Sequence, residues 1–316
     1  MAPPVLLRDR QLMPAPYSAR PLAALRRVWL FVPGANTAAH AAALQSQADV
    51  IVADLEEMTA PTDRPAARER IVALLADAAT CGAVGAVRIN LLEHDGYADL
   101  EGVMAGRPSA IFLPHAETPE QIAVLAEALT QLEARYGIRR EATEIVPTIE
   151  SARGLVHLAA ILNASTRIRY AMLAVEDLAS SLGARRTPGG LELLHARSRF
   201  LIDCIAAGRT PIDLPCTYRA TDVLARDLET STQLGFRSKC AVFLDHVDPI
   251  NQALTPSEAD ACAAQAVLDA HREQTANGDR RTSGWIDAPD ANNARRILGR
   301  YEESLRVRQP LGTHEA

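Results

Sequence analysis

Short apolar runs alternate along the chain with longer segments of helical periodicity. The runs lie at 28–32, 49–55, 86–89, 110–113, 144–149, 169–175, 211–214 and 241–244. Each is too short for a globular helix and is rich in Val, Ile and Leu, as expected of parallel strands buried on both faces. The intervening segments carry helix start signals. Thr118-Pro119-Glu120-Gln121 offers a cap, a first-turn proline and a capping-box glutamine, followed by Ile122, Leu125, Leu129 and Leu132 on one face. Ser151 stands ahead of Leu155, Leu158 and Leu162, and Thr255-Pro256-Ser257-Glu258 repeats the capping pattern. Strand and helix alternating eight times predict a (β/α)8 TIM barrel, because right-handed crossovers leave few other topologies. A doubly wound open sheet is the alternative.

The chain of 316 residues, 48% hydrophobic, is long enough for a sizeable core. We expect an arm at 1–25, a catalytic barrel at 26–255 and a C-terminal helical extension at 256–316. The arm carries Arg8, Asp9, Arg10 and several prolines but no apolar core segment, so it does not read as a signal peptide. No run approaches the ~20 apolar residues of a membrane span. A net charge of −6 argues against a broad nucleic-acid surface. The five cysteines are widely spaced, which suggests neither a zinc cluster nor a disulfide framework and fits a reducing, cytoplasmic setting.

In such barrels the chemistry sits at the carboxyl ends of the strands. The polar residues expected there are Asp54, Glu56 and Glu57, then Arg88 and Asn90, His115, Glu150, Asp177, Asp213, and Asp245 with His246. Taken singly, each acid is explained equally well as a helix cap or an arginine partner. As a group they would repel one another, and a divalent cation relieves that repulsion. Oxygen-only ligands describe Mg²⁺, with Mn²⁺ as an alternative, and the absence of paired histidines disfavours zinc. Arg88 suits a substrate carboxylate or carbonyl, or equally a structural bond to Glu56. His115 and His246 read more readily as rim or satisfied histidines than as catalytic groups.

Several motifs stand in order along the chain: Arg26-Arg27 with Leu30-Phe31-Val32-Pro33-Gly34, Asp54-Leu55-Glu56, Arg88-Ile89-Asn90, Leu113-Pro114, Ile149-Glu150-Ser151-Ala152-Arg153-Gly154, Glu176-Asp177-Leu178, Ala196-Arg197-Ser198, Ile212-Asp213, Gly235-Phe236 and Ile286-Asp287-Ala288-Pro289. By these the sequence resembles the citrate lyase beta-subunit-like family of the HpcH/HpaI aldolase superfamily. The resemblance implies a magnesium-dependent lyase, or the reverse condensation, acting on a 3-hydroxy-acyl-CoA ester of the citryl, malyl or citramalyl kind through a metal-stabilised enolate.

Carried over by motif, Glu150 and Asp177 would ligate the metal, Arg88 would bind substrate oxygens and Glu56 would support the site. The backbone at Pro33 and Gly34 would line it. Arg26 and Arg27 are candidates for CoA phosphates, or equally for anchoring the start of strand one. Asp287 would enter a neighbouring subunit's site as acid or base, which implies a homo-oligomer, a trimer or hexamer. The chain departs from the family near strand eight, where Arg237-Ser238-Lys239 and Phe243-Leu244-Asp245-His246 replace the usual Gly-x-Lys and Ile-His-Pro. Those changes fall on the substrate pocket. They keep open a CoA-independent 2-oxo acid aldolase with the same metal site and a catalytically idle subunit of an assembly.

Overall fold

The structure, a computed structural model, describes residues 25–277 and 285–308. All but the last residue of the expected arm at 1–25 lies outside them. Strands β1 (Val28–Pro33), β2 (Val50–Asp54), β3 (Val84–Arg88), β4 (Ala110–Leu113), β5 (Glu144–Ile149), β6 (Tyr170–Leu173), β7 (Thr210–Asp213) and β8 (Ser238–Ala241) form a closed parallel barrel in sequence order, with β8 returning to β1. Around it run α1 (Thr37–Gln45), α2 (Arg64–Thr80), α3 (Tyr97–Val103), α4 (Pro119–Arg135), α5 (Ala152–Val156), α6 (Leu158–Asn163), α7 (Glu176–Ser181), α8 (Leu191–Ala206), α9 (Thr221–Leu234) and α10 (Val247–Leu254). Two long helices follow, α11 (Glu258–Asn277) and α12 (Ala288–Arg308), packed on each other with Ala261, Ala264, Ala291 and Ala294 buried. This is the TIM barrel with C-terminal helices that the alternation predicts. Among the described residues no helix is long and apolar enough to cross a membrane.

The helix signals act as expected in α4, where Thr118 and Gln121 form a capping box and Ile122, Leu125, Leu129 and Leu132 are buried. Strand eight departs from expectation. It spans 238–241 and not 241–244, because a charged residue lies inside it. The Lys239 ammonium is fully buried, 2.9 Å from Asp213 directly across the β7–β8 register and 2.7 Å from Asp227. Arg197 of α8 grips the same Asp213 through Nε (2.7 Å) and Nη2, and the Ser231 hydroxyl of α9 donates to it at 2.7 Å. Asp213 therefore points outward under the helices and does not join the rim where the sequence placed it. Burial would raise its pKa, but the charges of Lys239 and Arg197 hold it below the usual range.

Alternate strand residues separate the two cores. Outward-facing Val, Ile and Leu pack under the helices, while Trp29, Phe31, Val52, Phe112, Tyr170, Met172 and Ile212 fill the barrel. Trp29 meets Tyr170 and Phe112 edge-on, with centroids 5.0 and 5.5 Å apart. Below them the Arg26 guanidinium lies 5.2 Å from the Tyr170 ring and binds Glu144 at 2.6 Å, closing the amino-terminal floor. Above them Arg88 lies 5.3 Å over Phe31.

The Lys239 contacts generate a stability prediction. Lys239→Met should cost roughly 3–5 kcal/mol, since it leaves the buried Asp213 and the part-buried Asp227 to one arginine; urea denaturation at neutral pH measures it. Because the Asp213 pKa is depressed on folding, its contribution is full above the unfolded carboxylate value near ~3.9 and fades as pH falls through the lower folded value. An unchanged unfolding midpoint would remove the role given to Lys239.

Candidate active site

At the carboxyl end of the barrel, Asp54 closes β2 and Arg88 closes β3, adjacent in register and both turned inward. Arg88 donates from Nε (2.7 Å) and Nη2 (2.6 Å) to the two Asp54 oxygens, and the backbone amides of Glu56 and Met58 complete that carboxylate's bonds. Nη1 of Arg88 lies 3.1 Å from Glu56 and Nη2 lies 3.1 Å from Glu57. Burial alone would lower the Arg88 pKa, but Asp54 and Glu56 raise it, so the group stays charged.

Pro33 and Gly34 turn the chain tightly at the end of β1. The Gly34 amide donates to Asp54 O and Thr59 Oγ1, and a Cβ there would stand 3.0 Å from Asp54 O. His40 and the Asn36 amide engage Pro33 O. These backbone groups brace the mouth and are occupied by the protein's own polar partners.

Glu150 directly follows β5 and is 3% exposed. Its Oε2 lies 3.0 Å from Nδ1 of His115, while its Oε1 is buried without a hydrogen-bond partner. His115 takes a left-handed backbone (φ 46°), unusual for a residue with a side chain, and this turns its ring toward both Glu150 and Glu56, the latter at 3.8 Å. Its bonds to those glutamates outweigh burial and push its pKa up to about 10. Burial acts to raise the Glu56 pKa, but His115 and Arg88 bring it below the usual value.

The Glu-Ser-Ala-Arg-Gly motif explains how this is held. Ser151 caps α5 and donates to Glu117 at 2.6 Å, and a Cβ at Gly154 would come within 2.6 Å of Ala116 O. Only glycine lets the Glu150 loop lie against the His115 loop.

Asp177 opens α7, half-buried. Its neighbour Glu176 is taken by Thr217 (2.8 Å) and Arg186 (3.5 Å). Glu57 has its pKa raised by burial and by the charges of Glu56 and Asp177, which outweigh Arg88. The mouth thus gathers Asp54, Glu56, Glu57, Glu150 and Asp177 around two cationic groups, Arg88 and His115. Among the described residues no group of three or more His, Cys, Asp or Glu side chains is placed to enclose a metal ion. Two carboxylates, one with an unpaired buried oxygen, suit a hard cation that completes its shell with water or substrate oxygens.

The remaining sequence candidates lie elsewhere. Arg26 is buried on the floor with Glu144, and Arg27 binds Asp49 (2.7 Å) and Thr255 (2.7 Å) at the same end. Both therefore anchor the start of β1, the alternative expected of them, at the end of the barrel away from the mouth. With β8 ending at Ala241, Asp245 and His246 fall in a short turn beyond it; His246 is buried against Phe243, with centroids 5.0 Å apart. A cavity of about 590 Å³ lies there, between α9 and α10, and none of Arg88, Glu150 or Asp177 lines it. Asp287 is exposed and accepts from the Asp290 amide at 2.9 Å, capping α12. The residue that sequence reasoning undervalued is His115, whose only signal was its place after strand four.

The family model described as HpcH/HpaI aldolase/citrate lyase matches residues 27–242. The citrate lyase subunit beta of Leuconostoc mesenteroides subsp. cremoris is 30% identical over 87% of this chain and 92% of its own length. The L-malyl-CoA/beta-methylmalyl-CoA lyase of Rhodobacter capsulatus is 31% identical over 81% and 87% respectively. Among solved structures, protein CitE from Mycobacterium tuberculosis in complex with magnesium, acetoacetate and coenzyme A superposes with a TM-score of 0.69 at 26% identity, covering 89% of this chain and all of that one.

The site geometry predicts that His115 stays protonated until about pH 10 in metal-free protein. Its stabilising contribution should be complete below the unfolded value near ~6.5 and be lost as pH rises through the folded one. NMR titration of the imidazole nitrogens reads this, and Glu150→Gln should bring the midpoint down; a midpoint already near that of free histidine would contradict the bridge.

Proposed function

The chain belongs to the HpcH/HpaI aldolase/citrate lyase family, and from that premise we propose that it is a Mg²⁺-dependent carbon–carbon lyase, or condensing enzyme, acting on a 3-hydroxy-acyl-CoA ester. The observation that carries the proposal is Glu150 Oε1, buried and unpaired in a mouth where acids, Asp177 near Glu57 among them, outnumber cations. The relatives named as citrate lyase beta subunit and malyl-CoA lyase, and the CitE complex with magnesium and coenzyme A, support it.

Glu150 and Asp177 would hold Mg²⁺, which supplies polarisation of a carbonyl and stabilisation of negative charge developing on its oxygen. Arg88 is fixed by Asp54 through two of its nitrogens, so its Nη1 side, next to Glu56, is the part that would meet a substrate carboxylate or carbonyl. Glu56 sets that orientation from one side while His115 holds Glu150 from the other. Phe31 beneath the guanidinium keeps water from approaching it from below. A proton must be delivered to, or taken from, the carbon released by bond cleavage. In this reading Asp287 serves that step from a second copy of the chain, since within one chain it only caps α12. The arm at 1–25, the barrel at 26–255 and an extension at 256–316 that completes a neighbour's site follow as the proposed domain plan.

Titration calorimetry with Mg²⁺ present tests the reading. Acetyl-CoA should bind the parent and should lose at least tenfold in affinity for Glu150→Ala. Binding of pyruvate or oxaloacetate alone would move the protein to CoA-independent aldolases, and binding of none of these would favour an idle subunit. Asp287→Asn should lower kcat about 10²-fold or more while Mg²⁺ binding is retained; unchanged turnover would remove Asp287 from the chemistry.

A further inference from the structure

Four arginines gather at the amino-terminal end of the barrel, where the α11–α12 hairpin joins it. Arg27 precedes β1 and Arg237 precedes β8. The two run side by side, because the Lys239 amide donates to Arg27 O at 2.8 Å and the Ser238 hydroxyl to Arg26 O at 2.5 Å. Nη1 of Arg27 donates to Thr255 Oγ1 at 2.7 Å, and Arg300 of α12 donates to the carbonyl of the preceding residue, Leu254. Arg27 and Arg300 therefore converge on the link between α10 and α11. Arg296 stands four residues before Arg300, on the same side of α12.

These charges are not balanced. Arg27 is held by Asp49 through Nε (2.9 Å) and Nη2 (2.7 Å). Among the described residues none of Arg237, Arg296 and Arg300 forms an ion pair. Arg300 has the Leu254 carbonyl, Arg296 has Asn293 at 3.4 Å, and the Arg237 side chain has no hydrogen-bond partner. Glu303, further along α12, is the acid that acts on both Arg237 and Arg300. Four arginines thus face two acids. Elsewhere in the protein the buried Arg88 and Arg197 sit on carboxylates that raise their pKa values. Here burial and then the neighbouring arginines act the other way, pushing Arg300 down to about 10 and lowering Arg237 as well, against the pull of Glu303.

Guanidinium forks that converge without a carboxylate match the oxygens of a phosphate. A carboxylate offers two oxygens, whereas a phosphate group offers at least three and is close to doubly charged at neutral pH, which equals the excess of cations. From this we infer that Arg237, Arg296 and Arg300, with Arg27 behind them, form a binding site for a phosphate group at the base of the hairpin. The anion would join the barrel, through Arg237, to α12, through Arg296 and Arg300. It would be held and not transformed. The site is independent of the catalytic reading, since it lies at the opposite end of the barrel from the mouth.

Thermal unfolding of the full chain without Mg²⁺, in inorganic phosphate and in chloride of equal ionic strength, tests this. The parent's midpoint should rise with phosphate concentration, as for any ligand that binds only the folded state. Arg237→Gln removes a side chain that is exposed and has no partner, so its midpoint in chloride should equal or exceed the parent's, and in phosphate it should fall below. An arginine kept for structure alone would lower the midpoint in both salts when replaced, and a merely solvated one would change it in neither; each of these results would overturn the inference. Titration calorimetry should show phosphate binding about tenfold weaker for Arg237→Gln and for Arg300→Gln, and unchanged for Arg88→Gln. Loss with Arg88→Gln alone would assign the anion to the mouth and sink the proposal. A second arm uses glycerol 3-phosphate: tighter binding than inorganic phosphate assigns the site to a phosphorylated small molecule, equal or weaker binding assigns it to the free ion, and binding of neither overturns it.

Discussion

Arg88 must remain charged where little water reaches it, and that is feasible only because Asp54 takes two of its nitrogens while two backbone amides hold Asp54 in turn. The other charges of the mouth are arranged around this pair. Glu56 and Glu57 follow Asp54 on the same loop, so the amides that orient Asp54 also fix where these acids begin. Arg88 cannot neutralise them all, and the remaining negative charge is what the proposed divalent cation would offset.

The two ends of the barrel solve the same problem differently. At the floor, Glu144 is met by the buried Arg26 and, more distantly, by the exposed Arg169, and the aromatic layer of Trp29 and Tyr170 covers the Arg26 pair. That end is closed and chemically quiet. At the mouth the balance is left incomplete, and the arrangement is held by a left-handed His115 and by a glycine at 154 that permits two loops to touch. One end of the same sheet serves stability and the other chemistry, as the layout of such barrels leads one to expect.

Most of the architecture was legible because strands buried on both faces must be apolar, and Val, Ile and Leu mark them. The reading slipped at β8, where Ser238 and Lys239 occupy strand positions and the more apolar Val242-Phe243-Leu244 lies just past the strand. Periodicity cannot reveal a lysine whose charge is cancelled by residues on β7 and α9. The same blindness placed Asp213 on the rim. The position of Arg88, Glu150 and Asp177 at the mouth could be anticipated because each follows or ends a strand. His115 could not be ranked above an ordinary rim histidine, since its importance rests on a backbone angle that no residue pattern encodes.

The ionic seam between β7 and β8 also constrains how the chain reaches this structure. Val28 pairs with Lys239, so the sheet cannot close until segments roughly two hundred residues apart have met. Lys239 can be stripped of water only when Asp213, Asp227 and Arg197 are already assembled from β7, α9 and α8. The last strand thus acts as a checkpoint, admitted after its neighbours are in place. A nascent chain released before β8 emerges would leave Asp213 and Asp227 sharing one arginine, a cost that discourages a stable partial barrel and favours one concerted closure.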